Sequence, residues 1–301
     1  MPAGGARFLR GRRAAASRRG VAMQLSFEFF PPKDEAQAES LRRARERLLP
    51  LGPEYVSVTF GAGGSTRSRT VGTVLDIQAQ DALPVAPHIS CMSEDLDSIR
   101  ELLETYDQAG IQRLVVLRGD RPSGRRSGVF DHAADLVAYI RQHWGARFHI
   151  EVACYPEHHP ESDSPQSDLG HFRDKVAAGA DGAITQYFFN AECYFRFVEE
   201  ARALGVTVPI VPGIMPITNY KGLARFSELC GADLPAWIAK RLRAWDQAGD
   251  LASLQAFGEE VVTDLCQRLL AGGAPGLHFY TLNRHGPTRA VCRNLGLDPA
   301  D

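Results

Sequence analysis

No apolar run in the chain approaches the roughly 18–20 residues that a helix needs to span a bilayer. This excludes a helical membrane anchor and leads us to expect a protein in solution, in the cytoplasm, without a membrane partner. The six cysteines (Cys91, Cys154, Cys193, Cys230, Cys266 and Cys292) are scattered, with no C-x-x-C pair and no Cys/His spacing of a structural zinc site. Reduced, mostly buried thiols and no bound metal are the expectation. No strand is followed by Gly-x-Gly-x-x-Gly and a helix, which argues against a Rossmann dinucleotide site. Lysine is scarce, and Lys33, Lys175, Lys221 and Lys240 all fall in loops or helices. An aldolase-type barrel, which would need a Schiff-base lysine at a strand tip, is disfavoured accordingly.

A net positive charge is also missing from most of the chain. The net charge of −2 includes six arginines within residues 1–22, where there is no acid, so the remainder stands at −8. An acidic body argues against nucleic acid as a partner. The Arg-, Ala-, Ser- and Gly-rich stretch 1–22 has too little apolar content to pack. It reads as a disordered extension, an organellar transit segment or translation from an upstream start. We prefer the last because Met23 directly precedes the first strand, and we take residues 23–301 as the catalytic unit.

What is present is a regular alternation. Leu114-Val115-Val116-Leu117 reads as a fully buried strand and ends on Arg118-Gly119-Asp120. Seven further strand signals lie at Leu25–Phe30, Tyr55–Phe60, Pro84–Ser90, Phe148–Tyr155, Gly182–Phe189, Val208–Ile214 and Gly276–Leu282, with helical stretches between them. Ser65 or Thr66 is expected to cap the second helix, and Pro209 and Pro212 to mark the ends of the seventh strand. Eight β/α units in a chain of this length predict an α/β protein, a single-domain (β/α)8 TIM barrel. A doubly wound open sheet is the second choice.

In a barrel the C-terminal strand ends share one face. The polar residues there are Glu28, Thr59, His88, Arg118, Asp120, Tyr155, His159, Gln186, Asn283 and Arg284. Most have structural explanations taken singly: a hydrogen-bonded histidine for His88, a good strand residue for Thr59. His158 and His159 point apart on extended backbone and lack a third ligand, so they do not suggest a metal. Glu28 is harder to explain away. Among Phe27, Phe29 and Phe30 an ionised carboxylate would be costly to bury, which favours the protonated, proton-donating form.

These tips and their flanking words resemble the methylenetetrahydrofolate reductase family. The words are SFEFFPP (Ser26–Pro32), VTFGAGGSTR (Val58–Arg67), LRGD (Leu117–Asp120), AITQYFF (Ala183–Phe189), VPGIMPITNY (Val211–Tyr220) and HFYTLNR (His278–Arg284). They occur in family order over Leu25 to Leu297. The resemblance implies an FAD-dependent enzyme that reduces 5,10-methylenetetrahydrofolate to 5-methyltetrahydrofolate with NADH or NADPH, by ping-pong hydride transfer, for methionine biosynthesis. It implies that Glu28 is the general acid toward the folate N10, and that Asp120 contacts flavin and pterin and stabilises a cationic intermediate.

Flavin contacts implied in the same way are Thr59, Phe60, Ala62, His88, Arg118, Gly119 and Ala133. Tyr155, His159, Asp168, His171 and Lys175 continue them, Lys175 as a charge partner for the FAD pyrophosphate. Gln186, Phe226, Tyr280 and Arg284 fall on substrate positions, and a homo-oligomer is implied. Departures occur at Gly222, where some members carry a folate-contacting glutamine, and at His171 and Asp174, which leave the adenine end less defined. The chain ends soon after the barrel, so regulation by S-adenosylmethionine is not expected. Rival readings are a flavin barrel resembling proline dehydrogenase, a non-redox lyase or aldolase, and a non-catalytic folate- or flavin-binding protein.

Overall fold

The structure is a computed structural model that describes residues 23–60, 64–81, 83–91, 95–119 and 129–298, with residues 64–66 described in backbone alone. The extension 1–22 lies outside the described residues.

Strand and helix alternate from the start. The first five units are β1 (Gln24–Phe29) with α1 (Glu35–Leu48), β2 (Tyr55–Val58) with α2 (Gly64–Gln80), β3 (Val85–Ser90) with α3 (Leu96–Gln108), β4 (Arg113–Leu117) with α4 (Ala133–Trp144), and β5 (His149–Cys154) with α5 (Pro165–Ala177). Then come β6 (Gly182–Thr185) with α6 (Ala191–Ala203), and β7 (Ile210–Val211) and β8 (Gly213–Ile214) with α7 (Tyr220–Cys230), α8 (Ala236–Ala248) and α9 (Leu251–Ala271). β9 (Gly276–Tyr280) and α10 (His285–Asn294) complete the fold. Short polar side chains start many of the helices: Asp34, Asp95, Ser164, Asn190, Asn219 and Asp250 each accept a backbone N–H from the first turn. Such caps satisfy donors that the helix itself cannot.

All strand pairs are parallel, in the order β7-β6-β5-β4-β3-β2-β1-β9-β8. The two ends of this ladder are consecutive in the chain, separated by Pro212 alone. β7 and β8 are therefore two halves of one staff position, and the sheet closes on itself. Pro212 lies inside the seventh strand rather than at its end. A proline cannot donate to a ladder, so the strand divides there: Ile210 and Val211 face β6, while Gly213 and Ile214 face β9. The Pro212 carbonyl still accepts from His278 N–H at 3.0 Å. Two smaller corrections apply: α2 begins at Gly64, putting Ser65 and Thr66 in its first turn, and β6 ends at Thr185, before Gln186.

The period-2 alternation of each strand sorts its side chains between two cores. Phe27, Phe29, Val56, Val58, Leu114, Val116, Ile150, Val152, Leu277 and Phe279 pack outward against the helices. Tyr55, Ala86, Val115 and Ile184 fill the barrel interior, with Leu117 and Tyr280 against them. Full burial of each outer Phe contributes about 1.5–3 kcal/mol, so this shell dominates stability. The interior has fewer apolar residues and is free to hold polar ones.

Candidate active site

Because every strand runs the same way, the ends of all of them open on one rim. Glu28 stands near the end of β1, in register with Ser57 on one side and Tyr280 on the other. Its aromatic neighbours in sequence are not its neighbours in space. Phe27 and Phe29 are 0% and 1% exposed in the outer shell, whereas Glu28 faces the interior with its side chain 18% exposed. The expectation of an acid surrounded by phenyl rings is thus corrected. Its surroundings are imidazole: Oε2 is 3.5 Å from His88 Nε2 and 3.9 Å from His278 Nε2. Both nitrogens are buried, and neither has a hydrogen-bond partner among the described residues. Burial, partly offset by the Glu28 charge, pulls His88 down to about 4, so that ring is neutral near neutral pH.

Tyr280, at the end of β9, donates its hydroxyl to the Thr185 carbonyl at 2.6 Å. Burial first, and the Glu28 charge second, hold this phenol protonated well above its usual range. Gln186 follows β6; its Oε1 accepts from Tyr187 N–H at 3.0 Å, leaving the amide NH2 to donate elsewhere.

A cationic group gathers after β4 and β5. Arg118 pairs with Glu161 at 2.5 Å. His159 packs edge-on against Tyr155 with ring centroids 4.5 Å apart, and its backbone N–H donates to Asp168 at 3.0 Å. Burial lowers His159, reinforced by the positive charge of Arg118. Lys175, on α5, donates to the Ala153 carbonyl; burial lowers it too, against the pull of Asp168. A half-buried ammonium and a guanidinium whose charges reach each other suit an anionic ligand group.

The remaining expected residues are distributed as follows. Thr59 and Phe60 follow β2, and Gly119 follows β4. Ala133 is buried in the first turn of α4. His171 is exposed on α5, stacked on His132 at 5.0 Å between centroids. Phe226, on α7, is 47% exposed, and Arg284 is exposed at the start of α10. Asp120 and Ala62 lie outside the described residues. Asn283 is structural: it is buried, its Oδ1 accepts from Phe30 N–H at 3.0 Å and its Nδ2 donates to the Phe30 carbonyl at 2.9 Å. Sequence reasoning missed Ser26, His278, Arg113 and Glu151, all turned into the barrel. The signal for the first two was the strand period, which puts Ser26 on the face of Glu28 and opposite His278 in register. Among the described residues no three His, Cys, Asp or Glu side chains gather as metal ligands, and no helix is long and apolar enough to cross a membrane.

The sequence model of the family described as Methylenetetrahydrofolate reductase matches residues 13–296. The chain belongs to the methylenetetrahydrofolate reductase family. It is 38% identical over 277 residues to the 5,10-methylenetetrahydrofolate reductase of Escherichia coli, covering 92% of each chain. It is also 38% identical over 286 residues to Methylenetetrahydrofolate reductase (NADH) 1 of Arabidopsis thaliana, covering 90% of this chain and 48% of the plant protein. Among solved structures, an uncharacterized protein from Clostridium thermocellum that binds two copies of 5-methyl-5,6,7,8-tetrahydrofolic acid aligns with a TM-score of 0.63 at 17% identity, covering 91% of this chain and 94% of that one. That likeness bears on the barrel alone. Glu28 and the cationic group stand at the barrel mouth, the face on which enzymes of this fold carry their active sites.

Proposed function

We propose that the chain reduces 5,10-methylenetetrahydrofolate to 5-methyltetrahydrofolate with NAD(P)H, using FAD in a ping-pong sequence, and so supplies methyl groups for methionine synthesis in the cytoplasm. The observation that carries this reading is a partly exposed carboxyl, Glu28, flanked by two imidazoles at the mouth of the barrel in a chain of this family. FAD fits the residues present: Arg118 and Lys175 offer positive charge for a diphosphate, and Tyr155 and His159 offer a ring edge and an imidazole beside it. Bound FAD would supply hydride carriage between the two substrates, which these side chains cannot do themselves.

Glu28 would protonate the folate N10 as the five-membered ring opens, a general-acid role worth 10²–10⁴-fold in typical cases. Asp120, directly after Gly119, would hold a negative charge against the resulting cation. The free amide NH2 of Gln186 and the exposed ring of Phe226 would meet nicotinamide and pterin in turn, and Arg284 would meet the glutamate carboxylates. NADH, named for the plant relative, is the donor to try first. We propose a homo-oligomer with no nucleic-acid or membrane partner.

The test is an anaerobic absorption experiment on the purified protein. NADH should bleach the flavin band near roughly 450 nm, as expected of this cofactor class, and methylenetetrahydrofolate should restore it. A colourless protein that takes up no FAD, or a bleached one that the folate leaves unchanged, would overturn the reading.

A further inference from the structure

Beneath Glu28 the barrel holds a buried polar column. His278 is 0% exposed and Ser26 2%. Ser26 Oγ and His278 Nδ1 are 2.7 Å apart. Beside Ser26, in register on β2, stands Tyr55, whose phenol is kept protonated by burial and by the nearby Glu151 charge. If Ser26 gives its Oγ–H to Nδ1, the imidazole proton sits on Nε2; the opposite tautomer would turn a bare Nε2 lone pair toward the Glu28 carboxyl. An imidazole that accepts at Nδ1 carries its proton on Nε2. That Nε2 is the buried atom with no partner among the described residues, 3.9 Å from Glu28 Oε2. An unpaired buried N–H is costly, and among the described residues the acceptor it faces is this carboxyl. We propose that His278 is a positioning residue for Glu28, its tautomer set by Ser26 so that an N–H is presented to the carboxyl.

The inference rests on the reading of Glu28 as proton donor, and goes beyond it by assigning what sets that acid's proton affinity. A facing N–H stabilises the ionised carboxylate; removing it makes the carboxyl hold its proton more tightly. Among the described residues the other titratable groups around the pair are His88 from β3, Tyr55 from β2 and Tyr280 from β9, with Arg113 and Glu151 beyond Tyr55. Near pH 7 His88 is neutral and the two phenols are protonated, so these three change charge outside the range of the turnover measurement.

The experiment titrates Glu28 in the free protein by carboxyl 13C NMR of glutamate-labelled chain, with E28Q assigning the signal. S26A frees the tautomer of His278 and should raise the Glu28 midpoint by about one pH unit, a tenfold gain in proton affinity. H278Q, which keeps an N–H on that side, should stay within about a third of a unit of wild type, a small fraction of the full effect. In turnover, the high-pH limb of folate-dependent flavin reoxidation should move up with the S26A midpoint, while flavin reduction by NADH shows no such displacement. An unchanged midpoint in S26A, or equal displacement of both half-reactions, would reduce the column to packing and overturn the proposal. Because the NMR arm needs no substrate, a shifted midpoint in a protein that ignores the folate would sink the functional reading and leave the positioning role standing.

Discussion

The closure of the barrel at Pro212 can be tested at the adjoining glycine. A Cβ built on Gly213 would lie 2.2 Å from the Thr185 carbonyl oxygen and 2.6 and 2.7 Å from Cε2 and the hydroxyl of Tyr280. The carbonyl belongs to β6 and cannot swing aside; the Tyr280 ring can, by giving up its 2.6 Å hydrogen bond to the same carbonyl. Overpacking of this kind costs about 1–3 kcal/mol, and the lost hydrogen bond about 1 kcal/mol more. G213A should therefore lose about 2–4 kcal/mol in urea denaturation, which corresponds to a Tm lower by on the order of 5–15 °C for a domain of this size. Gly72 supplies the control. It lies exposed within α2, with nothing inside 4 Å of its would-be Cβ. G72A should stabilise by about 0.5–1 kcal/mol, since a helical alanine loses less chain entropy on folding. A G213A protein as stable as wild type, measured beside a stabilised G72A, would refute the close approach of β6, β8 and Tyr280 that the closed sheet requires.

Three other outcomes are expected. His88 is neutral in the fold and returns to its ordinary value near 6.5 when unfolded, so the unfolded chain binds more protons between these limits and stability falls as pH drops from about 6.5 toward 4. The full effect is about 3 kcal/mol; urea titrations of H88Q should show a flatter dependence across that window, and an unaltered slope would contradict the burial argument. N283A removes both hydrogen bonds to Phe30 and places alanine at φ 54°, so chemical denaturation should register a loss of about 2–4 kcal/mol; a change below about 0.5 kcal/mol, typical of a surface site, would count against the structural role. K175A should weaken FAD binding about 10- to 100-fold, the counterpart of the roughly 1.5–3 kcal/mol of a hydrogen bond to a charged group. Flavin fluorescence on titration of apoprotein reads this, and undiminished affinity would remove Lys175 from the cofactor site.

Much of this protein follows from local pattern. Alternating apolar residues in Leu25–Phe29, the unbroken apolar run Leu114–Leu117, polar caps such as Asp34 and Asp95, and the β/α period over the whole chain are short-range signals, and they determine the units, their order and the barrel. The strand ends that carry Glu28, Arg118 and Gln186 were readable for the same reason, because a parallel barrel leaves its strand tips nowhere to go but one rim. Tertiary structure alone decided what each tip residue meets there. Glu28 looks aromatic-flanked along the chain, yet the strand period turns Phe27 and Phe29 outward and brings it to His88 and His278, 60 and 250 positions away. Ser26 and His278 meet only because β1 and β9 pair in one particular register, and a proline that reads as a strand end becomes the seam of the barrel once strands on both sides claim its neighbours. Pairings between distant segments depend on how the closed sheet sets its register, and no window of sequence contains that information.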